Sequence, residues 1–333
     1  MIAERDLADL GIHRISMPVP FPEAGGPVNA YALEDREGGL VLFDSGLGSP
    51  EAERAMADGL RRIGRSPADV RRIVISHGHV DHFGGARTLI DQAGREVPVE
   101  VHPRDLPKVA GGRARWEELA PLYGAHLSRL GVPEGILGEA SREVARGFGL
   151  ARAVPAAKPL DASGPLRVAH ATFEILHMPG HTPGLVCLYD REHRIFVSDD
   201  HLLERVSPNP LIELGPNGEE DWLPLVAYLD SVTRLRELEV DVVLPGHATP
   251  FGDHRRVIDR LLHFFGKRQE RIEDVLSKGP ATAWELSRAL FPAAPSAATF
   301  LTVSEVLANL EVLESRGRVA REAQGGLYRF RRA

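Results

Sequence analysis

The chain has 333 residues, 43% apolar and 26% charged, the proportions of a globular protein with a substantial core. Its formal net charge of −7 gives no overall attraction for nucleic acid or an anionic membrane. One cysteine, Cys187, excludes an internal disulfide and any cysteine-rich metal site. The opening MIAERDLADLGIHRI is too charged for a signal peptide and no run is read as long enough to span a bilayer, so a cytoplasmic location is expected.

Residues 12–18, 29–33 and 40–44 are short apolar segments separated by the turn-rich PFPEAGGP and DREGG, which predicts the strands of a meander. Asp44 closes the third in VLFDSGLGS, and a helix is expected over roughly 50–63. The run VRRIVI, 70–75, reads as a buried strand that delivers SHGHVDHFGG, with His77, His79, Asp81 and His82 inside six residues. His77 and His79 lie two apart at a strand end, so both side chains leave on the same side. Asp81 and His82 follow as the chain turns into a helix expected over 83–92. Nitrogen and oxygen donors gathered on one strand–loop–helix corner suit zinc or its first-row neighbours. VPVEVH, 97–102, is a further strand.

From 103 to 159 the pattern turns helical. Trp116, Leu119, Leu122, Tyr123, Leu127 and Leu130 recur at helical spacing, read either as a lid that shapes an apolar pocket or as a stripe packed on the main core. Strands resume at 166–169 and 172–177 and lead into MPGHTPG, then 185–189, 195–198 and DDHLL. A long helix over 221–237 precedes a strand over 240–244 that ends in PGHATPFG. His181, Asp200 and His247 each follow an apolar strand, and such ends gather on one edge of a layered fold. His102, His170 and His177 end or flank strands and are assigned to structure. The tail predicts helices over 255–277, in TAWELSRALFP and over 304–316, then two strand-like arms around Gly325–Gly326. Helix, helix, helix, hairpin is the order of a winged helix.

A His-x-His-x-Asp-His motif, a His in PGHTPG, an Asp after an apolar strand and a His in PGH, in that order, resemble the metallo-β-lactamase-fold hydrolases over roughly residues 10–255. The resemblance implies a mixed α/β (α+β) protein: a four-layer αββα sandwich over 1–254, with a helical insert at 103–159. Beyond it, 255–333 resembles the winged helix of β-lactamase-like hydrolases that include an endoribonuclease. The resemblance also implies two divalent metal ions, zinc first and manganese or iron next. His77, His79 and His181 would hold one, Asp81, His82 and His247 the other, with Asp200 bridging. Asp44 is expected behind the ligands. The family's bridging aspartate usually follows a glycine, and Asp199 takes that place here. Asp200 is preferred because HLL follows it, as in the common GDHLL wording, with Asp199 as runner-up. His201 is read as a pocket or supporting residue.

Two cations that share a hydroxide bring the pKa of its parent water toward neutrality. The expected chemistry is attack on the carbonyl of an ester, thioester or lactone in a small, partly apolar substrate, with Asp81 orienting the nucleophile or passing on its proton. Cys187 lies in the apolar LVCLY and no GxSxG elbow is present, so neither offers a rival nucleophile. The bridging aspartate speaks against true β-lactamases, and the glutathione-binding helices of glyoxalase II are not recognisable. The alternatives are metal-dependent cleavage of RNA or another phosphodiester, and a metal-binding sensor without turnover. Residues 267–333 hold eleven basic and eight acidic residues, yet the third tail helix sets Glu305, Glu311 and Glu314 against Arg316. The tail is therefore read as a packing or homodimerisation module. Arg318, Arg321, Arg329, Arg331 and Arg332 are left to meet phosphates in the alternative.

Overall fold

Strands that are apolar on both faces must be covered on both faces, and here alternate side chains of each strand enter different cores. The computed structural model describes residues 4–20 and 25–333. In the first sheet β1 (Ile12–Met17), β2 (Val28–Glu34), β3 (Leu40–Phe43), β4 (Val70–Ile75), β5 (Val99–Val101) and β6 (Lys158–Pro159) lie side by side in that order. β1 to β3 form the expected antiparallel meander, and β3 to β6 run parallel. The second sheet contains β7 (Leu166–Arg167), β8 (Thr172–His177), β9 (Val186–Asp190), β10 (Ile195–Asp199) and β11 (Val242–Pro245), antiparallel except for the β10–β11 pair. The helices are α1 (Glu4–Asp9), α2 (Pro50–Arg62), α3 (Val80–Phe83), α4 (Ala86–Ala93), α5 (Leu106–Arg129), α6 (Glu134–Phe148), α7 (Pro224–Arg236), α8 (His254–Leu276), α9 (Ala283–Leu290) and α10 (Thr299–Ser315). A hairpin, β12 (Val319–Gln324) and β13 (Leu327–Arg332), ends the chain.

Tyr31, Leu33, Val41, Phe43 and Val74 meet Val186, Leu188, Ile195, Val197, Val242 and Leu244 between the sheets. Their chain neighbours Ala30, Ala32, Leu40, Leu42, Ile73 and Ile75 turn outward onto α2 and α4. Cys187, Tyr189, Phe196 and Val243 turn the other way, onto α7 and the first half of α8. The result is the expected helix–sheet–sheet–helix sandwich. The helix expected over 83–92 starts earlier, at Val80, and breaks after Phe83, because Gly85 N–H turns away to the carbonyl of Gly46 (2.9 Å).

The stripe of the insert does not pack on the main core of the sandwich. Trp116, Leu119, Tyr123, Leu127 and Leu130 share a core with Ile272 and Leu276 of α8, Leu286 and Leu290 of α9, Val303, Leu307 and Leu310 of α10, and Phe330. The partner of this stripe is the tail. α5 breaks at Gly112 (φ 52°, ψ −131°), a conformation open in practice only to glycine. Before the break Val109 belongs to the first-sheet core, and after it Trp116 belongs to the insert–tail core. α8 likewise spans two cores: Val257, Ile258, Leu261 and Phe265 pack on the second sheet, Ile272 and Leu276 on the tail.

One sequence expectation is corrected. Ser296–Ser315 is long and apolar enough, by length and composition, to cross a membrane, although the sequence reading takes no run so. Its apolarity has another cause. α10 is a core helix, with Val303, Val306 and Leu310 against α9 and the insert, and Ala308 and Val312 against α7 and α8. A helix buried on both faces is apolar all round.

Candidate metal centre

The parallel strands β3 and β4 end together, and their ends carry Asp44 and Ser76. Asp44 adopts a left-handed backbone (φ 68°), a conformation Asp and Asn tolerate better than most residues. Its Oδ1 accepts from Ser76 N–H at 2.7 Å, and its Oδ2 from Ser76 Oγ at 2.8 Å and from His82 Nδ1 at 2.9 Å. Ser76 Oγ, its proton given to Asp44, accepts from His77 Nδ1 at 2.9 Å. Asp199, also left-handed (φ 49°), puts Oδ1 at 3.2 Å from His77 Nδ1 and 3.3 Å from His82 Nδ1. His247 Nδ1 lies 3.2 Å from the carbonyl of Gly26. Each of these imidazoles sets Nδ1 against an acceptor, so Nε2, with the lone pair it can offer a metal ion, turns inward.

Those lone pairs converge in two sets. His79 Nδ1 lies 3.0 Å from His77 Nε2 and 2.9 Å from His181 Nε2. His247 Nε2 lies 3.4 Å from Asp81 Oδ2, and His82 Nε2 3.9 Å from the same oxygen. Between the sets stands Asp200, whose Oδ2 is 4.0 Å from His77 Nε2, 3.5 Å from His181 Nε2, 3.4 Å from His82 Nε2 and 3.6 Å from His247 Nε2. Gly246 makes room for it: a Cβ there would strike Asp200 Oδ1, which accounts for the glycine of PGH.

The donor set fits divalent cations. Ligands about 2.0–2.1 Å from one zinc ion stand a few ångströms apart, and three groups have donor atoms within 4.8 Å of one another: His77/His79/His181, His77/His82/Asp199/Asp200 and Asp81/His82/His247. Buried His82 Nε2 and Asp200 Oδ1 make no hydrogen bond, a cost that a bound cation removes. Burial first, then the neighbouring imidazoles, hold His79 well below the usual histidine value. Burial pushes His181 down to about 4, so both are neutral as ligands must be. At the other set burial is outweighed: Asp199, Asp200 and Asp81 hold His82 well above the usual value, and Asp200 and Asp81 raise His247 to about 10. That end of the site attracts positive charge.

Thus His77, His79, Asp81, His82, His181, Asp200 and His247 are brought together, with Asp44 and Asp199 behind them. His201 is not among the converging donors. It is buried, its ring is 5.1 Å from Tyr228, and burial pushes its pKa down to about 3. His102 and His177 stack on each other at 4.2 Å, outside the donor groups. The sequence reading passed over Asp105. Its Oδ2 accepts from Gly78 N–H (2.8 Å) and Thr182 Oγ1 (2.6 Å), and its Oδ1 from Gly184 N–H (3.1 Å). It therefore ties the loop of His77 and His79 to the loop of His181. Asp105 stands four residues past the end of β5 with no motif around it, so the sequence carried no signal for it.

Two openings reach the centre. A cleft of about 520 Å³ at His247 is lined by Arg14, Ser16, Glu204, Arg205 and Thr249. A narrower pocket, about 90 Å³, opens at Gly78 and His79 and is walled by Trp116, Leu119, Tyr123, Phe148, Ile212 and Phe300. Lys108 and Glu213 also line it, paired with each other.

The family model of the metallo-beta-lactamase superfamily matches residues 24–247. The "Probable metallo-hydrolase YqjP" of Bacillus subtilis (strain 168) is 29% identical over 320 residues, 95% of this chain and 97% of that protein. The "Acyl-coenzyme A thioesterase MBLAC2" of Gallus gallus is 29% identical over 251 residues, 71% of this chain and 77% of that protein. Among solved structures, a metallo-beta-lactamase family protein from Thermus thermophilus superposes with a TM-score of 0.81 at 30% identity, over 97% of this chain and 99% of that one. Ligand motifs, sandwich and relatives agree: the chain belongs to the metallo-beta-lactamase superfamily and is a metal-dependent hydrolase of that family.

Proposed function

We propose that this protein hydrolyses an acyl thioester, or a related ester or lactone, at a centre of two divalent metal ions, with zinc the first assignment for an imidazole–carboxylate donor set. The observation that carries the reading is the narrow apolar pocket that opens on His79. An apolar acyl group fits there, while the charged and hydroxyl-bearing cleft at His247 suits a polar leaving group. The relationship to an acyl-coenzyme A thioesterase points the same way.

When bound, the metal ions would polarise the carbonyl and supply an ionisable water as nucleophile. We assign His77, His79 and His181 to one ion and Asp81, His82 and His247 to the other. Asp200 is assigned to both, because Oδ2 stands between the two sets. Asp199 and Asp44 then orient His77 and His82 from behind. Asp81, kept ionised against burial by His82 and His247, is assigned to orient the nucleophile or pass on its proton. The aromatic walls exclude water from the acyl side.

We read 1–254 as the catalytic domain and 255–333 as a winged-helix-type module, on its helix order and closing hairpin. RNA cleavage is the second reading, and the ion pairs weigh against it. Arg321 pairs with Glu314 (2.9 Å), Arg329 with Glu285 (3.5 Å), Arg331 with Glu322 (2.6 Å) and Arg318 with Glu273. α10 is buried where a groove-reading helix must be exposed.

The test is metal analysis of purified protein, then a hydrolysis panel of acyl thioesters, esters, lactones, phosphodiesters and single-stranded RNA. Two metal ions per chain with acyl hydrolysis are expected, and Asp200→Ala should hold fewer ions and lose activity. RNA cleavage without acyl hydrolysis would overturn the substrate class. Full activity and two ions in Asp200→Ala would overturn the bridging assignment.

A further inference from the structure

The aromatic walls of the pocket at His79 come from outside the sandwich. Trp116 and Tyr123 stand on α5, Phe148 ends α6, and Phe300 stands in the first turn of α10, within the tail. The Trp116 and Phe148 rings stack with centroids 5.4 Å apart and planes 7° from parallel, and Tyr123 meets Phe300 edge-on at 6.0 Å. Trp116 and Tyr123 belong to the core that joins insert to tail, with Phe148 and Phe300 packed against it. The pocket therefore takes its shape from the docking of the tail on the insert.

Charge narrows what the pocket accepts. Of its ionic lining residues, Lys108 and Glu213 neutralise each other, and Arg115 pairs with Glu118 at 2.9 Å. An uncharged, apolar group is the complement of such a lining. At about 90 Å³ the pocket suits a slender chain better than a ring or a branched group.

We infer that the tail is a structural part of the substrate site: Phe300 closes, from the tail side, a pocket for a short linear acyl chain and sets the chain length accepted. This rests on the acyl-hydrolase reading and deepens it. Phe300 is half-buried and supplies no atom to the donor groups, so changing it alters the pocket wall and removes no ligand.

The experiment measures kcat/KM of the metal-loaded full chain for acyl thioesters from acetyl to dodecanoyl. Phe300→Ala should move the optimum toward longer chains by about two carbons or more, with about a fourfold gain in kcat/KM per methylene newly accommodated. The change should fall mainly on KM, at unchanged metal content. Phe300→Trp should move the optimum to shorter chains. Phe300→Leu, which keeps an apolar side chain, should shift it less and in the same direction as alanine, and guards against misfolding. An identical length profile in all variants with turnover retained would overturn the inference. A second measurement separates it from the reading beneath it: octanoate binding by isothermal titration calorimetry to the full chain and its Phe300 variants. Octanoate affinity that depends on Phe300, in a protein without acyl turnover, would sink the hydrolase reading and support the pocket. Affinity that ignores Phe300 would sink the pocket assignment.

Discussion

Carboxylates that touch no substrate organise this centre. Asp44 and Asp199 adopt left-handed backbones at strand ends and aim at the rear nitrogens of His77 and His82, which fixes the face each imidazole presents. Asp105 does the same for the backbone, holding the His77–His79 loop and the His181 loop through three buried hydrogen bonds. Removing it strands three donors, each worth about 1–3 kcal/mol when buried without a partner. Asp105→Ala should therefore lose about 3 kcal/mol or more of stability in denaturant unfolding. Metal affinity at the His77/His79/His181 set should fall about 10–100-fold by chelator competition. Unchanged affinity would show that the two loops hold their positions without it. Asp44 was legible because its strand and motif announce it. Asp105 lacked a motif, and only the fold shows that its side chain reaches a loop 77 residues away.

At the scale of elements, the break in α5 decides where the insert goes. Gly112 carries φ 52° and ψ −131°, and an added Cβ would stand 3.1–3.2 Å from Ala153. Gly112→Ala should cost about 1–3 kcal/mol from backbone strain alone, and should lower kcat/KM because Trp116 follows one turn later in the pocket wall. Gly124, in the same helix, has no atom within 4 Å of an added Cβ, so Gly124→Ala should gain about 0.5–1 kcal/mol. Thermal unfolding of the two variants in parallel checks the contrast. Equal effects would mean that the break at Gly112 has no structural role. Helical spacing in the sequence reported the stripe Trp116–Leu130 and could not report the kink, since a glycine is compatible with a continued helix as well as with a break.

The whole molecule is two bodies sharing helices. The sandwich encloses its own cores, while insert and tail enclose another, and α5 and α8 pass from one to the other. Leu310 lies fully buried in the insert–tail core, and Leu310→Ala should cost about 2–5 kcal/mol. Because that core is one cooperative unit, amide exchange should rise together in α10 and in the second half of α5, with β3 and β4 still protected. Faster exchange confined to α10 would show that insert and tail unfold separately.

By itself the sequence determined the strand alternation, the strand-end position of each candidate ligand and the family, because these depend on local periodicity and on motifs a few residues long. Asp200 and Asp199 were two adjacent candidates there; the fold sets the Oδ2 of one between both donor groups and turns the other toward the rear nitrogens of two histidines. The partner of the aromatic stripe, the buried place of α10 and the joint wall of the pocket were decided only by tertiary structure. An apolar face in a sequence states that it must be covered. What covers it is fixed by the packing of segments far apart in the chain.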